Sequence, residues 1–175
     1  MMDCNPLNLR GRRYLVTGAS SGIGKATSIL LSRLGAELAL VDLNVDGLQC
    51  TQSLCPNRTY LLDIDLTDSG AIKQKISEMV VDFGKLNGFA HIAGRPYITP
   101  LKGVKENVCT EVYKLNTYAA IELAKIFTNR KIYAGDHGFD IFRVWSCRIG
   151  CECWLCHDKV CDNRDNEGFS YGVRF

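Results

Sequence analysis

A parallel α/β sheet wound on both faces is the fold class this sequence predicts, and three features predict it. Strand-like and helix-like segments alternate through the first 130 or so positions. A glycine-rich turn, Thr17-Gly18-Ala19-Ser20-Ser21-Gly22-Ile23-Gly24, joins the first strand to the first helix. The helical segments are long enough to carry the chain back for another parallel strand, the pattern of stacked βαβ units.

In order, Tyr14-Leu15-Val16 is a short apolar run that reads as the first strand. Ile23, Ile29, Leu30 and Leu34 have the spacing of a helix face after the turn. Residues 37–43 read as a second strand, with Leu38, Leu40 and Val41 apolar and Asp42 at its end. A short helix is expected over 45–54 and a third strand over 58–62. Residues 68–83 place Ile72, Ile76, Met79 and Val80 on one helical face, and 87–92 form a fourth strand. Residues 95–108, with Pro96 and Pro100, read as a loop; 112–127 form a helix with Val112, Leu115, Ala119, Leu123 and Ile126 in register. The expected sheet order is 3-2-1-4. From about Phe139 the periodicity dissolves, so 1–138 are expected to form the nucleotide-binding domain and 139–175 an irregular tail. The fold is expected to break off after its fourth or fifth strand.

The turn carries the chemistry. Glycines at 18, 22 and 24 have no Cβ, so the chain can turn tightly and a diphosphate can approach the backbone. Unpaired N–H groups in the helix's first turn, with the helix dipole behind them, favour negative charge there.

Composition sets the outer limits. With 175 residues, 46% apolar and 23% charged, the chain has the size and balance of one globular domain. A net charge of +2 and the lack of any long basic run argue against a nucleic-acid partner. No apolar stretch approaches a membrane span, and the opening Met1-Met2-Asp3-Cys4-Asn5-Pro6 lacks the layout of a signal peptide. A cytoplasmic setting is therefore expected. Of nine cysteines, Cys147, Cys151, Cys153, Cys156 and Cys161 crowd the tail.

The glycine motif, Asp42 closing the second strand, Asp65-Leu66 after the third, His91-Ile92-Ala93-Gly94 after the fourth and Asn116 in Tyr113-Lys114-Leu115-Asn116 together resemble the short-chain dehydrogenase/reductase family. The resemblance covers roughly residues 7–130. It implies a Rossmann-type domain that exchanges hydride between a nicotinamide and a small-molecule carbonyl or secondary alcohol, in an assembly that is usually homo-oligomeric. It further implies that Gly18, Ser20, Ser21, Gly22, Ile23 and Gly24 hold the cofactor diphosphate and Asp42 the adenosine ribose. Asp65 and Leu66 would lie near the adenine, with Ala93 and Gly94 completing the cofactor site. Asn116 would belong to a catalytic tetrad with serine, tyrosine and lysine. Taken singly, the residues have other readings: Asp42 as a polar strand end, Asp65 as a helix cap, Asn116 as a solvated side chain. His91 stands where the family usually has asparagine and reads as structural rather than catalytic. The Asp42 charge would repel a 2′-phosphate and no Lys or Arg lies within the motif, so NAD is favoured over NADP.

The family's Tyr-x-x-x-Lys pair, whose ammonium lowers the phenol pKa for proton transfer, is missing. Tyrosines 14, 60, 97, 113, 118, 133 and 171 are followed four places on by Gly18, Ile64, Leu101, Thr117, Glu122, His137 and Phe175. The serine of the fifth strand has no recognisable setting either. A reading-frame shift in the tail would account for this. Advancing each codon by one nucleotide converts Lys159 to Lys or Arg and allows Tyr at Leu155, restoring the four-residue spacing. Cys156, His157 and Asp158 then permit Ala, Met and Thr, and Glu167 becomes Lys or Arg. Trp145 becomes Gly, and Phe142 and Val144 permit Ser. Two literal readings compete: Cys153-Trp154-Leu155-Cys156-His157 matches a haem-attachment pattern, and the clustered thiols with His157 are possible zinc ligands. Neither is preferred, and no metal site is expected.

Overall fold

The computed structural model describes residues 8–134 and 140–142. Five parallel strands form one sheet: β1 (Arg13–Thr17), β2 (Glu37–Val41), β3 (Thr59–Leu62), β4 (Gly88–His91) and β5 (Asp140–Phe142). Their order is β3-β2-β1-β4-β5, the expected 3-2-1-4 extended by one edge strand. β5 pairs with β4 in parallel register, Gly88 opposite Asp140. It lies within the stretch expected to be an irregular tail. Between the strands run α1 (Gly22–Arg33), α2 (Val45–Ser53) and α3 (Ser69–Phe83). After β4 come a single 3₁₀ turn (Leu101–Gly103), α4 (Glu106–Tyr113), a π-helical stretch (Lys114–Tyr118) and α5 (Ala119–Phe127).

β1 and β2 are buried on both faces, as the near-continuous apolar runs of a covered parallel sheet require. Side chains alternate between two cores. Leu15, Ala39, Val41 and Phe89 face the layer that includes Ile72, Ile76, Met79, Phe83, Leu123 and Phe127. Tyr14, Val16, Leu38, Leu40 and Ala90 face the other, against Leu31 and Leu48. At the amino ends of the strands, Arg13 Nε donates to Glu37 Oε2 at 2.7 Å and the Arg13 backbone N–H to Asn87 Oδ1 at 2.8 Å. The same guanidinium lies 5.9 Å from the Phe83 ring centroid, which closes the sheet end opposite the glycine motif.

Four expectations need correction. In α1 the buried residues are Gly24, Ser28, Leu31 and Ser32, whereas Ile23 and Leu30 are exposed. Close packing explains it: a Cβ on Gly24 would sit 1.9 Å from the Gly18 carbonyl oxygen, and Ser28 Oγ donates to Gly24 O at 2.8 Å. Only small side chains fit that approach. β2 stops at Val41, leaving Leu43 exposed. The loop after β4 is shorter than expected, since α4 begins at Glu106. The helix read over 112–127 is three helical pieces, in which the π stretch shifts the side-chain phase between α4 and α5.

Candidate functional site

Strand order reverses between β1 and β4, so the carboxyl ends of these two strands open a crevice where doubly wound sheets bind ligands. A cleft of about 720 Å³ lies there. Gly18, Ser20, Ser21, Gly22, Ile23, Gly24, Asp42, Asp65, Leu66, Ala93 and Gly94 all line it, so every residue singled out for cofactor contact faces one cavity. Asn116 is not in the lining.

The glycine loop is held in shape by its neighbours. Gly18 has φ +69°, and a Cβ there would lie 2.8 Å from the Ala93 backbone nitrogen, so the loop packs directly against the end of β4. Gly22 has φ +51°, yet a Cβ there would meet nothing within 4 Å. Its bare backbone faces open space at the start of α1. Ser21 offers that helix no side-chain cap, and its first turn has no acidic residue. α2 and α3 differ: Asn44 Oδ1 accepts Gly47 N–H, and Asp68 Oδ1 accepts Gly70 and Ala71 N–H. The N-terminus of α1 is therefore left open to an anion, while those of α2 and α3 are capped from within the chain.

Asp42 takes the backbone N–H of Ser20 on Oδ2 at 3.2 Å and that of Asn44 on Oδ1 at 3.0 Å. Its carboxylate thus fastens the end of β2 to the glycine loop and keeps lone pairs for a hydroxyl donor. Below the loop, Thr51 Oγ1, fully buried on α2, donates to Ala19 O at 2.8 Å. Gly47 packs so closely that a Cβ would come 2.7 Å from Ser20 Cβ. Asp65 Oδ1 accepts the backbone N–H and hydroxyl of Thr67, at 2.9 and 2.7 Å, and these bonds hold its carboxyl below the usual carboxylate range. The cap of α3 is Asp68, not Asp65.

Across β1 the lining comes from β4 and the helix after it. Asn116, at the centre of the π stretch, accepts Arg95 N–H on Oδ1 at 3.0 Å and donates from Nδ2 to Arg95 O at 3.1 Å. The Arg95 guanidinium in turn pairs with Glu111 at 2.7 Å. His91 is half-buried, its Nδ1 2.9 Å from Thr17 Oγ1 and its Nε2 3.2 Å from Leu115 O. Burial without a charged partner pushes its pKa down to about 4, so the ring is neutral at pH 7. Thr17, Gly47, Thr51, Arg95, Glu111, Lys114 and Leu115 were not among the predicted site residues. Of these, only Gly47, three residues after the cap Asn44 and within a short helix, left a sequence trace.

Among the described residues no group of three or more His, Cys, Asp or Glu could hold a metal ion, and no helix is long and apolar enough to cross a membrane. Cys50, Cys55 and Cys109 are free thiols. The proposed zinc and haem residues, and the positions read for a frame shift beyond Phe142, lie outside the described residues.

Comparison with known proteins gives a consistent picture. A family model described as short chain dehydrogenase matches residues 12–142. An NAD-dependent glycerol dehydrogenase of Listeria innocua is 29% identical over 128 residues, 73% of this chain and 50% of that protein. Mouse L-xylulose reductase is 30% identical over 132 residues, 75% of this chain and 52% of its own. A crystal structure of a dehydrogenase/reductase from Sinorhizobium meliloti superposes with a TM-score of 0.66 at 28% identity, covering 70% of this chain and 50% of that one. The chain spans about half the length of the curated relatives it matches.

Proposed function

The chain belongs to the short-chain dehydrogenase family, and from that premise we propose that its described residues form an NAD(H)-binding site. The observation that carries the reading is the uncapped start of α1, bordered by the bare backbone of Gly22. The first-turn N–H groups and Gly18, Ser20, Ser21, Gly22, Ile23 and Gly24 would take the diphosphate. Asp42 would accept the adenosine ribose hydroxyls, Asp65 and Leu66 would border the adenine, and Ala93 and Gly94 would line the path toward the nicotinamide. When bound, the nicotinamide supplies the hydride exchanged with a carbonyl or secondary alcohol. The chain's own residues bind and orient it.

NAD is preferred to NADP on electrostatic grounds. The Asp42 carboxylate would stand at the ribose, and neither Lys25 nor Arg33 lines the cleft. Lys25 Nζ lies 3.2 Å from Cys50 Sγ, and Arg33 is in the last turn of α1, away from the loop. A 2′-phosphate would meet repulsion with no compensating partner.

The reaction class we assign is oxidoreduction of a small carbonyl or alcohol, of the 3-oxoacyl-carrier reductase or sugar/alcohol dehydrogenase kind. The protein would work in the cytoplasm and, as is usual in the family, as a homo-oligomer. As written, the chain has no Tyr-x-x-x-Lys pair, so the proton has no route and turnover is expected to be absent or very weak. That favours a second reading, a dinucleotide-binding protein without catalysis, with residues from about 139 onward translated out of frame. The experiment mixes the protein with NADH and a panel of carbonyls, following absorbance, with NAD binding measured by calorimetry. Binding without turnover supports the proposal. Robust turnover would overturn the reading of the tail, and no binding would overturn the site. Transcript reads across the codons for residues 135–140 test the frame directly, since an unbroken frame there removes that explanation.

A further inference from the structure

Thr17 and His91 are direct neighbours in the β1–β4 register, at the carboxyl ends that border the cleft. The Thr17 hydroxyl accepts the backbone N–H groups of Ile92 at 3.0 Å and Ala93 at 3.1 Å. Its own proton is then free for His91 Nδ1 at 2.9 Å, and the other ring nitrogen faces the carbonyl of Leu115 at 3.2 Å. A carbonyl only accepts, so Nε2 carries the ring proton and Nδ1 receives the hydroxyl's. The chain of donors runs in one direction, from Ile92 and Ala93 N–H through Thr17 and His91 to Leu115 O. Leu115 immediately precedes Asn116, whose carboxamide holds both backbone groups of Arg95. The polypeptide from Ile92 to Arg95 is thus gripped at one end by Thr17 and at the other by Asn116, and His91 joins the two grips.

We infer that His91, as the neutral Nε2–H tautomer, is a positioning residue that locks the π stretch bearing Asn116 to the carboxyl ends of β1 and β4. It fixes Ala93 and Gly94 against the glycine loop, which Gly18 meets at this spot. An asparagine at 91 has one short amide, long enough to meet Thr17 but too short to reach the Leu115 carbonyl as well. Histidine reaches both because Nδ1 lies at the depth of an asparagine amide while Nε2 lies one bond further from the backbone. The inference rests on the cofactor reading only where it concerns affinity; the tautomer and the locking of the π stretch stand apart from it.

The test uses the full chain and four variants, His91→Leu, His91→Asn, Thr17→Val and Thr17→Ser. Nitrogen-15 spectra of the histidine ring should show a protonated Nε2. Amide hydrogen exchange should speed up at least tenfold at residues 114–118 in His91→Leu and His91→Asn, relative to the core amides of β2. Thr17→Val should release Ile92 and Ala93 as well, and Thr17→Ser should restore the parent pattern. NADH affinity should fall about tenfold in His91→Leu and Thr17→Val and return in Thr17→Ser. A protonated Nδ1, or π-stretch exchange in His91→Leu that changes only in step with global stability, would overturn the inference. If the parent chain binds no NADH yet the exchange and tautomer results hold, the cofactor reading fails and the lock stands.

Discussion

The Asp42 carboxylate accepts the backbone N–H of Ser20 at 3.2 Å, so the residue assigned to the cofactor ribose also ties β2 to the glycine loop. Removing it has two effects. Asp42→Ala should weaken NAD binding by one to two orders of magnitude, since hydrogen bonds to a charged group contribute about 1.5–3 kcal/mol. It should also narrow the gap between NAD and NADP by removing the charge that repels a 2′-phosphate. Titration calorimetry with both nucleotides checks this; an unchanged NAD/NADP ratio would place the ribose elsewhere.

Two glycines of the motif, Gly24 and Gly22, should fail in different ways. Gly24→Ala puts a Cβ 1.9 Å from the Gly18 carbonyl, a clash that α1 relieves only by moving off the sheet, so the fold itself should be lost or severely weakened. Gly22→Ala meets nothing within 4 Å, and its positive φ should cost only about 1 kcal/mol of stability. Its methyl group would nonetheless occupy the space through which a diphosphate approaches. Urea melts paired with NAD titrations separate the two: Gly22→Ala should fold and bind poorly, and full affinity in that variant would move the diphosphate away from this loop.

Thr51→Val removes the buried hydroxyl that donates to Ala19 O at 2.8 Å. A carbonyl left without that donor in the interior costs about 1–3 kcal/mol. The expected result is a lower urea midpoint with an unchanged slope. NAD affinity should drop by a smaller factor, because the loop is loosened but its own groups are intact.

His91 makes stability depend on pH. Its folded pKa is about 4, below the ordinary 6.5, because burial penalises the charged ring. The unfolded chain therefore binds more protons between those values, and the associated stability is complete above pH 6.5 and lost as pH falls toward 4. A shift of this size corresponds to about 3 kcal/mol. Urea midpoints of the parent chain should fall between pH 7 and 4.5 more steeply than those of His91→Leu. Parallel slopes would mean that the ring is not buried as neutral.

Much of the architecture is legible in the residues. The glycine spacing and the apolar strands led to a doubly wound sheet, and the family resemblance to eleven expected cofactor positions, all of which line one cleft. Helix faces were less legible. α3 follows its apolar stripe, with Ile72, Ile76 and Met79 buried. α1 does not, because it meets the sheet through Gly24 and Ser28 and turns Ile23 and Leu30 outward. Hydrophobic spacing cannot announce a contact made by small residues.

The sequence by itself determined the features that each depend on a few adjacent residues: a turn that only glycine can take, strands that alternate two buried faces, an acidic residue at a strand end. Tertiary structure alone decided what joins them. Thr17 and His91 are 74 positions apart, and Arg95 and Asn116 are 21. Neither pair leaves a local pattern. The ring tautomer, the clamp on Arg95 and the break in the helix at Lys114–Tyr118 follow from hydrogen-bonding groups that meet only after the chain has packed.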